Sequence, residues 1–206
     1  MHLFGSTDSG HSFKVKLYLQ MSETAHSYEW VDLGAPRPSR PAHFQAASKF
    51  GEVPVLVDEG QTICQSNAIL LYLAGKIGRF SGTQEEQPHV LEWLWWEANR
   101  IGFSVPNLRY ALRWAKQPPD VLHYLHRRAV TDLDTLNNAL GTSEYLLPSG
   151  PTLADISCSA YLYWLEQAGI SSAGFPHVAR WLSSLQLLPG WEHPDTALQP
   201  RRTIEA

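Results

Sequence analysis

Cysteine is nearly missing from this chain. Cys64 and Cys158 are the only two in 206 residues, far apart and in neither C-x-x-C nor zinc-ligand spacing. A disulfide framework and a cysteine-bound metal are therefore excluded, both thiols are expected to be reduced and inert, and no metal is expected. Cys64 stands beside Gln65, but a nucleophilic role would need a low pKa and exposure. Long apolar runs are absent too, none reaching the roughly 20 residues that a membrane-spanning helix needs. The chain also lacks a Lys/Arg cluster and carries a net charge of −4, which argues against nucleic acid or an anionic membrane as the main partner. The opening residues, Met1-His2-Leu3-Phe4-Gly5, lack a basic region followed by a long apolar one. No signal peptide is read there, and a cytoplasmic location is expected. No internal repeat is visible.

The residues that remain describe a globular protein. The length and the 44% hydrophobic content fit one large or two small domains with ample core. One stretch, Gly51 to Ala74, reads GEVPVLVDEGQTICQSNAILLYLA and organises the rest. Two β-branched runs, Val53 to Val57 and Thr62 to Cys64, flank Asp58-Glu59-Gly60-Gln61, which predicts a hairpin. Ile69, Leu70, Leu73, Ala74 and Ile77 then follow at the spacing of one helix face, with Ser66 as the natural N-cap. Pro54 gives no N–H to a ladder, and a cis Val53-Pro54 bond would turn the backbone of Val53 outward, where a peptide can pair with it like an added strand. The helix start behind Ser66 suits a carboxylate. Together these two devices fit a small peptide with an α-carboxylate at one end.

These residues also carry a resemblance. GEVPVL, a short hairpin and then QSNAILLYLA resemble the glutathione-binding half of the cytosolic glutathione S-transferases, whose pattern is G-x-V-P-x-L followed by E/Q-S-x-A-I-x-x-Y-L. The resemblance implies that Val53, ahead of the cis proline Pro54, pairs with the cysteinyl part of glutathione, that Gln65 and Ser66 hold its γ-glutamyl end, and that Glu52 adjoins them. Where the family has N-P-x before G-x-V-P, this chain has Ser48-Lys49-Phe50. Arg40 and Lys49 are candidates for the glycyl carboxylate, and a solvated basic loop is the competing reading.

In chain order, His2 to Gly5 reads as a first strand and Ser6 to Gly10 as a loop. Phe13 to Leu19 alternates apolar and polar and by itself looks like a strand; its K-V-x-L resembles the family's first helix, and the resemblance makes it one. Tyr28 to Leu33 is a second strand, Gly34 to Pro41 a loop, and Ala42 to Ala47 a short helix. Gly78 to Gln87 is polar and reads as a linker. Beyond it Leu91, Leu94, Trp95, Ala98, Ile101 and Val105 form one helical stripe, and Leu122, Leu125, Ala129, Leu133, Leu136 and Leu140 a second. Pro106 is expected to kink or break the first of these helices, and Pro118-Pro119-Asp120 to start the second; the two pack antiparallel. Thr152 and Asp155 stand at capping-box spacing with a structural role. A helix around Pro176 to Leu187 and a loose tail through Arg202 follow. The fold class is thus α/β plus all-α: a thioredoxin-like domain over 1–78, a linker over 79–87 and an all-helical C-terminal domain over 88–206, the glutathione S-transferase fold.

The resemblance implies glutathione as co-substrate and a homodimer. Its thiol, ordinarily near pKa 8.5, must be favoured as thiolate, which hydroxyl donors and a helix start achieve. Counted back from Lys14-Val15, Ser9 falls where serine- and threonine-type members keep their hydroxyl and His11 where related members keep Asn. Ser9 and His11 are the catalytic candidates, with Ser12 as a further glutathione contact. The competing readings are Ser9 as a helix cap, Ser12 as a first-turn hydroxyl and His11 as a solvated loop histidine. The loop has no cysteine, which counts against a dithiol mechanism. Phe13, Asn107, Tyr110 and Trp114 are the candidates for an electrophile pocket, Tyr110 and Trp114 sharing a helix face. Three functions follow: conjugation of glutathione thiolate to a small hydrophobic or aromatic electrophile, glutathione-dependent disulfide reduction at the same site, or a non-catalytic binding module.

Overall fold

The computed structural model describes residues 1–200; the tail through Arg202 falls partly outside the described residues. Four strands and nine α-helices are described: β1 His2–Gly5, α1 Gly10–Met21, β2 Ser27–Trp30, α2 Ala42–Ala47, β3 Val55–Asp58, β4 Gln61–Cys64, α3 Ser66–Ile77, α4 Gln87–Asn99, α5 Ile101–Arg113, α6 Pro119–Ala139, α7 Leu153–Ser159, α8 Pro176–Gln186 and α9 Pro194–Ala197. The chain divides into two compact units, one of residues Met1–Ile77 with the segment that begins at Pro189, the other Gly78–Leu188. The helical C-terminal half therefore loses its last described segment to the first unit, where α9 packs on α1. No helix among the described residues is long and apolar enough to cross a membrane.

In the first unit one mixed sheet runs β2-β1-β3-β4. β1 and β2 are parallel, with Leu3 opposite Tyr28; β3 is antiparallel to both β1 and β4, with Leu3 opposite Leu56 and Leu56 opposite Ile63. Phe4, Val31, Phe44 and Val55 pack together on this sheet. It is a thioredoxin-like domain. β2 ends at Trp30 rather than Leu33 because Asp32 folds back to accept the N–H of Gly34 at 2.8 Å, an Asx turn that pulls the chain out of the sheet. Phe13 to Leu19 is helical. All of α1 except His11 and Gln20 is buried, Lys14 and Lys16 included, so the helix shows no polar stripe.

The second unit is all helical, α5 packing on α6, α4 on α7 and α6 on α8. Leu125, Ala129, Leu133, Leu136 and Leu140 are buried as their spacing predicts, with Leu122 at the margin. The stripe of α4 is turned from its expected direction: Leu91 and Trp95 are exposed, and Val90, Leu94 and Glu97 face inward. Glu97 is tolerated there because Ser157 donates to its carboxylate at 3.1 Å. The first long helix breaks at Arg100 (φ −119°, ψ −102°), and Pro106 lies inside α5. A proline disturbs the turn on its N-terminal side, and there a Cβ on Gly102 would collide with the Glu97 carboxylate. The break thus falls just before that turn. Thr152 and Asp155 form the capping box of α7.

Candidate functional site

The loop between β1 and α1 is built from serines. Ser9 is the N-cap of α1, its Oγ accepting the N–H of Ser12 at 3.1 Å. A cap of this kind uses a lone pair and leaves the hydroxyl proton to be donated elsewhere. Ser12 is fully buried and its Oγ accepts the N–H of Ser6 at 3.3 Å, so it supports the loop from within. His11 is half-buried in the first turn of α1 rather than in a solvated loop, and Phe13 is wholly buried in the same helix. Phe13 is thereby a core side chain, contrary to its expected place in an open pocket.

Between α2 and β3 the chain prepares the approach to Val53. Ser48 donates to the carbonyl of Glu52 at 2.8 Å and accepts its N–H at 2.9 Å, closing the loop immediately before Val53. The Val53-Pro54 bond is cis. The ladder of β3 with β1 begins at Val55, so Val53 lies ahead of it. Ser48 is the site residue that the sequence reading treated only as a departure from N-P. Arg40 is committed elsewhere: its Nε and both terminal nitrogens donate to the carbonyls of Ala35, Gly51 and Leu33 at 3.2, 3.0 and 2.9 Å. That makes it the clamp of its own loop. Lys49 is exposed, with Nζ 5.3 Å from the Phe50 ring centre.

α3 opens with Gln65 and Ser66. Gln65 occupies the cap position expected of Ser66, its carbonyl accepting the N–H of Ile69 at 2.9 Å, and Ser66 is the first helical residue. Gln65 is left-handed, with φ at 72°, a conformation costing a non-glycine residue about 1–3 kcal/mol. Its exposed side-chain amide donates to the Glu52 carboxylate at 3.4 Å, so Glu52, Val53, Gln65 and Ser66 gather at one corner. Beneath them Lys14 Nζ donates to Asn67 Oδ1 at 3.4 Å, tying α1 to the start of α3. At the far end of α3, Tyr72 and Lys76 donate to Asp58 Oδ2 at 2.7 and 2.5 Å, and Lys76 also pairs with Glu59 at 2.9 Å. Lys76 and then Tyr72 hold the Asp58 carboxyl below its ordinary range, and the bond to Asp58 raises the Tyr72 phenol. This cluster fixes the β3–β4 hairpin to α3. Cys64, half-buried at the end of β4, points its thiol at the Ala47 carbonyl 3.8 Å away.

In the second unit, Asn107, Tyr110 and Trp114 share an exposed line of α5 and its C-cap, Tyr110 and Trp114 stacking at 6.0 Å. Asn107 Nδ2 donates to the carbonyl of Phe103 at 2.7 Å, and Phe103, one turn earlier, extends the line. Its spacing of four from Asn107 was the available signal. Among the described residues no group of three or more His, Cys, Asp and Glu stands close enough together to hold a metal ion.

Two family models match the chain: "Glutathione S-transferase, N-terminal domain" over residues 3–79 and "Glutathione S-transferase, C-terminal domain" over residues 119–184. The disulfide-bond oxidoreductase YfcG of Escherichia coli (strain K12) is 29% identical over 198 residues, which span 90% of this chain and 89% of that protein. The crystal structure of a glutathione S-transferase from Xanthobacter autotrophicus superposes with a TM-score of 0.83 at 28% identity, covering 93% of this chain and 95% of the other. A glutathione transferase homolog from Lodderomyces elongisporus, solved with two GSH per subunit, gives 0.80 at 20% identity over 92% and 94% of the two chains. At that identity the likeness is one of fold.

Proposed function

The chain belongs to the glutathione S-transferase family, and from that premise we propose that it binds glutathione and conjugates its thiolate to a small electrophile. The observation that carries this reading is the corner at which Glu52 and Gln65 meet beside Val53 and Ser66. The backbone of Val53 aligns the cysteinyl residue as an added strand. The start of α3, with the Ser66 hydroxyl and the Gln65 amide, receives the γ-glutamyl carboxylate. Ser9, its oxygen already accepting from Ser12, donates a hydrogen bond to the thiolate sulfur, and His11 in the same turn assists. A hydrogen bond to the charged form lowers the thiol pKa. In the reaction the sulfur–carbon bond forms and the leaving group departs with its electron pair. Asn107, Tyr110 and Trp114 receive the electrophile. The protein works as a homodimer, to be checked by its mass in solution.

Titration calorimetry with reduced glutathione tests the corner directly. Saturable binding is expected in the wild type, weakened about tenfold in Ser66→Ala, the effect of losing one anchoring hydrogen bond to a charged group. No binding to the wild type at millimolar glutathione would sink the reading and leave a non-catalytic module.

A second reaction at the same site is supported by the likeness to the Escherichia coli disulfide-bond oxidoreductase and by the cysteine-free loop Ser6 to Ser12. Two glutathione thiols would be oxidised to one glutathione disulfide while the substrate disulfide is reduced to two thiols, all sulfurs being supplied by the reactants. Product analysis separates the two: a thioether conjugate in one case, oxidised glutathione in the other.

A further inference from the structure

Residues 98–119 carry four cations, Arg100, Arg109, Arg113 and Lys116, and no acidic residue, in a chain whose net charge is −4. α5 sets the exposed aromatics among them. Tyr110 is 56% and Trp114 48% exposed, and their rings stack at 30° to each other. The guanidinium of Arg113 lies 5.0 Å from the centre of the Trp114 ring, and that of Arg109 4.9 Å from it. Arg109 is itself buried, held by Gln167 Oε1 at 2.8 Å and by the Trp164 ring at 4.2 Å. The result is an aromatic platform with a buried cation, Arg109, against it, an exposed one, Arg113, at the Trp114 ring, and a further exposed one, Lys116, two residues along the chain.

A pair of aromatic faces alone would attract a cation as readily as a neutral ring. Here the cations are already built in, so a positively charged ligand is repelled and a flat ligand bearing negative charge meets both stacking and ion pairing. We propose that this face of α5 binds a planar aromatic anion, an aryl carboxylate or sulfonate. Its anionic group is held by Arg113 and Lys116, and its ring stacks on the aromatic pair.

The test uses matched probes. Quenching of tryptophan fluorescence is titrated with para-nitrobenzoate and with the neutral para-nitrobenzamide, without glutathione, on wild type, Arg113→Gln, Lys116→Gln and Trp114→Ala. All three side chains are exposed, so folding is spared. At low salt the benzoate is expected to bind about tenfold more tightly than the benzamide, a preference that shrinks with added salt and in both charge variants. Trp114→Ala weakens both probes. Equal binding of the two probes, or a preference that survives Arg113→Gln and Lys116→Gln together, overturns the inference.

Discussion

Two helix starts in this molecule use similar residues in opposite ways. α7 opens with Thr152 in extended conformation; its Oγ1 accepts the N–H of Ala154 at 3.2 Å, and Asp155 Oδ2 accepts the N–H of Thr152 at 2.8 Å. Asp155 goes on to take Leu146 N–H at 3.0 Å and Trp181 Nε1–H at 2.9 Å. α3 opens with a left-handed Gln65 whose side chain turns away from its own helix to Glu52. The first arrangement spends its polar groups on the helix end and the surrounding core. The second directs a side chain outward and keeps a costly backbone angle. A closed start supports the fold, and an open one leaves its leading side chain, Gln65, exposed.

The largest effect should come from the closed start. Asp155→Ala would leave the N–H groups of Thr152 and Leu146 and the Trp181 indole without their acceptor. A loss of about 3 kcal/mol or more is expected in urea denaturation. Glutathione affinity per folded molecule should not change, because the residue serves only its own unit. A matching fall in affinity at temperatures where the variant is folded would erase the distinction between the two starts.

The comparison also shows what the sequence could reveal. The capping box and the hairpin were readable because each is local: Thr152 and Asp155 are three apart, and Val53 to Ser66 is continuous. α1 was not readable from its own pattern. Burial on nearly all sides, with Lys14 and Lys16 inside, removes the polar face that marks a helix, and the resemblance supplied the answer. Arg40 looked like an anion ligand because its three carbonyl partners depend on the path of the loop from Leu33 to Gly51. Ser48 gave no signal for the same reason. The break falls at Arg100 rather than at Pro106, beside the close approach of the Glu97 carboxylate to Gly102 five residues on, which no periodicity contains. Serine chemistry in the first loop was legible, but which hydroxyl caps and which supports needed the geometry of Ser6, Ser9 and Ser12.

A smaller effect is expected from acid. Asp58 joins the β3–β4 hairpin to α3, and Lys76 and Tyr72 keep its carboxyl below the ordinary 3.8. A depressed carboxyl stabilises the fold fully above its unfolded value, and that contribution is lost as pH falls through the folded value. The contribution of this cluster to the urea midpoint should therefore be complete above the ordinary carboxylate range and be lost as pH falls below it. In Asp58→Asn that part of the decline should be shallower, and an unchanged acid profile would show that the cluster does not fasten the hairpin. Because the hairpin runs straight into Gln65, the same variant reports whether the open start depends on being held from behind.

The smallest effect is the most informative about the open start. Glycine adopts positive φ without steric cost, so Gln65→Gly should relieve the strain at φ 72°. Part of that relief is offset by the greater freedom of glycine in the unfolded chain. The expected outcome is a stability change within about 1 kcal/mol, of either sign, together with weaker glutathione binding as the amide is lost. Gln65→Ala separates the two contributions, since it loses the amide and keeps the strain. Equal loss of affinity in both variants assigns binding to the side chain. A loss confined to Gln65→Gly would instead mean that a rigid left-handed backbone, presenting the first N–H groups of α3, is what the ligand recognises.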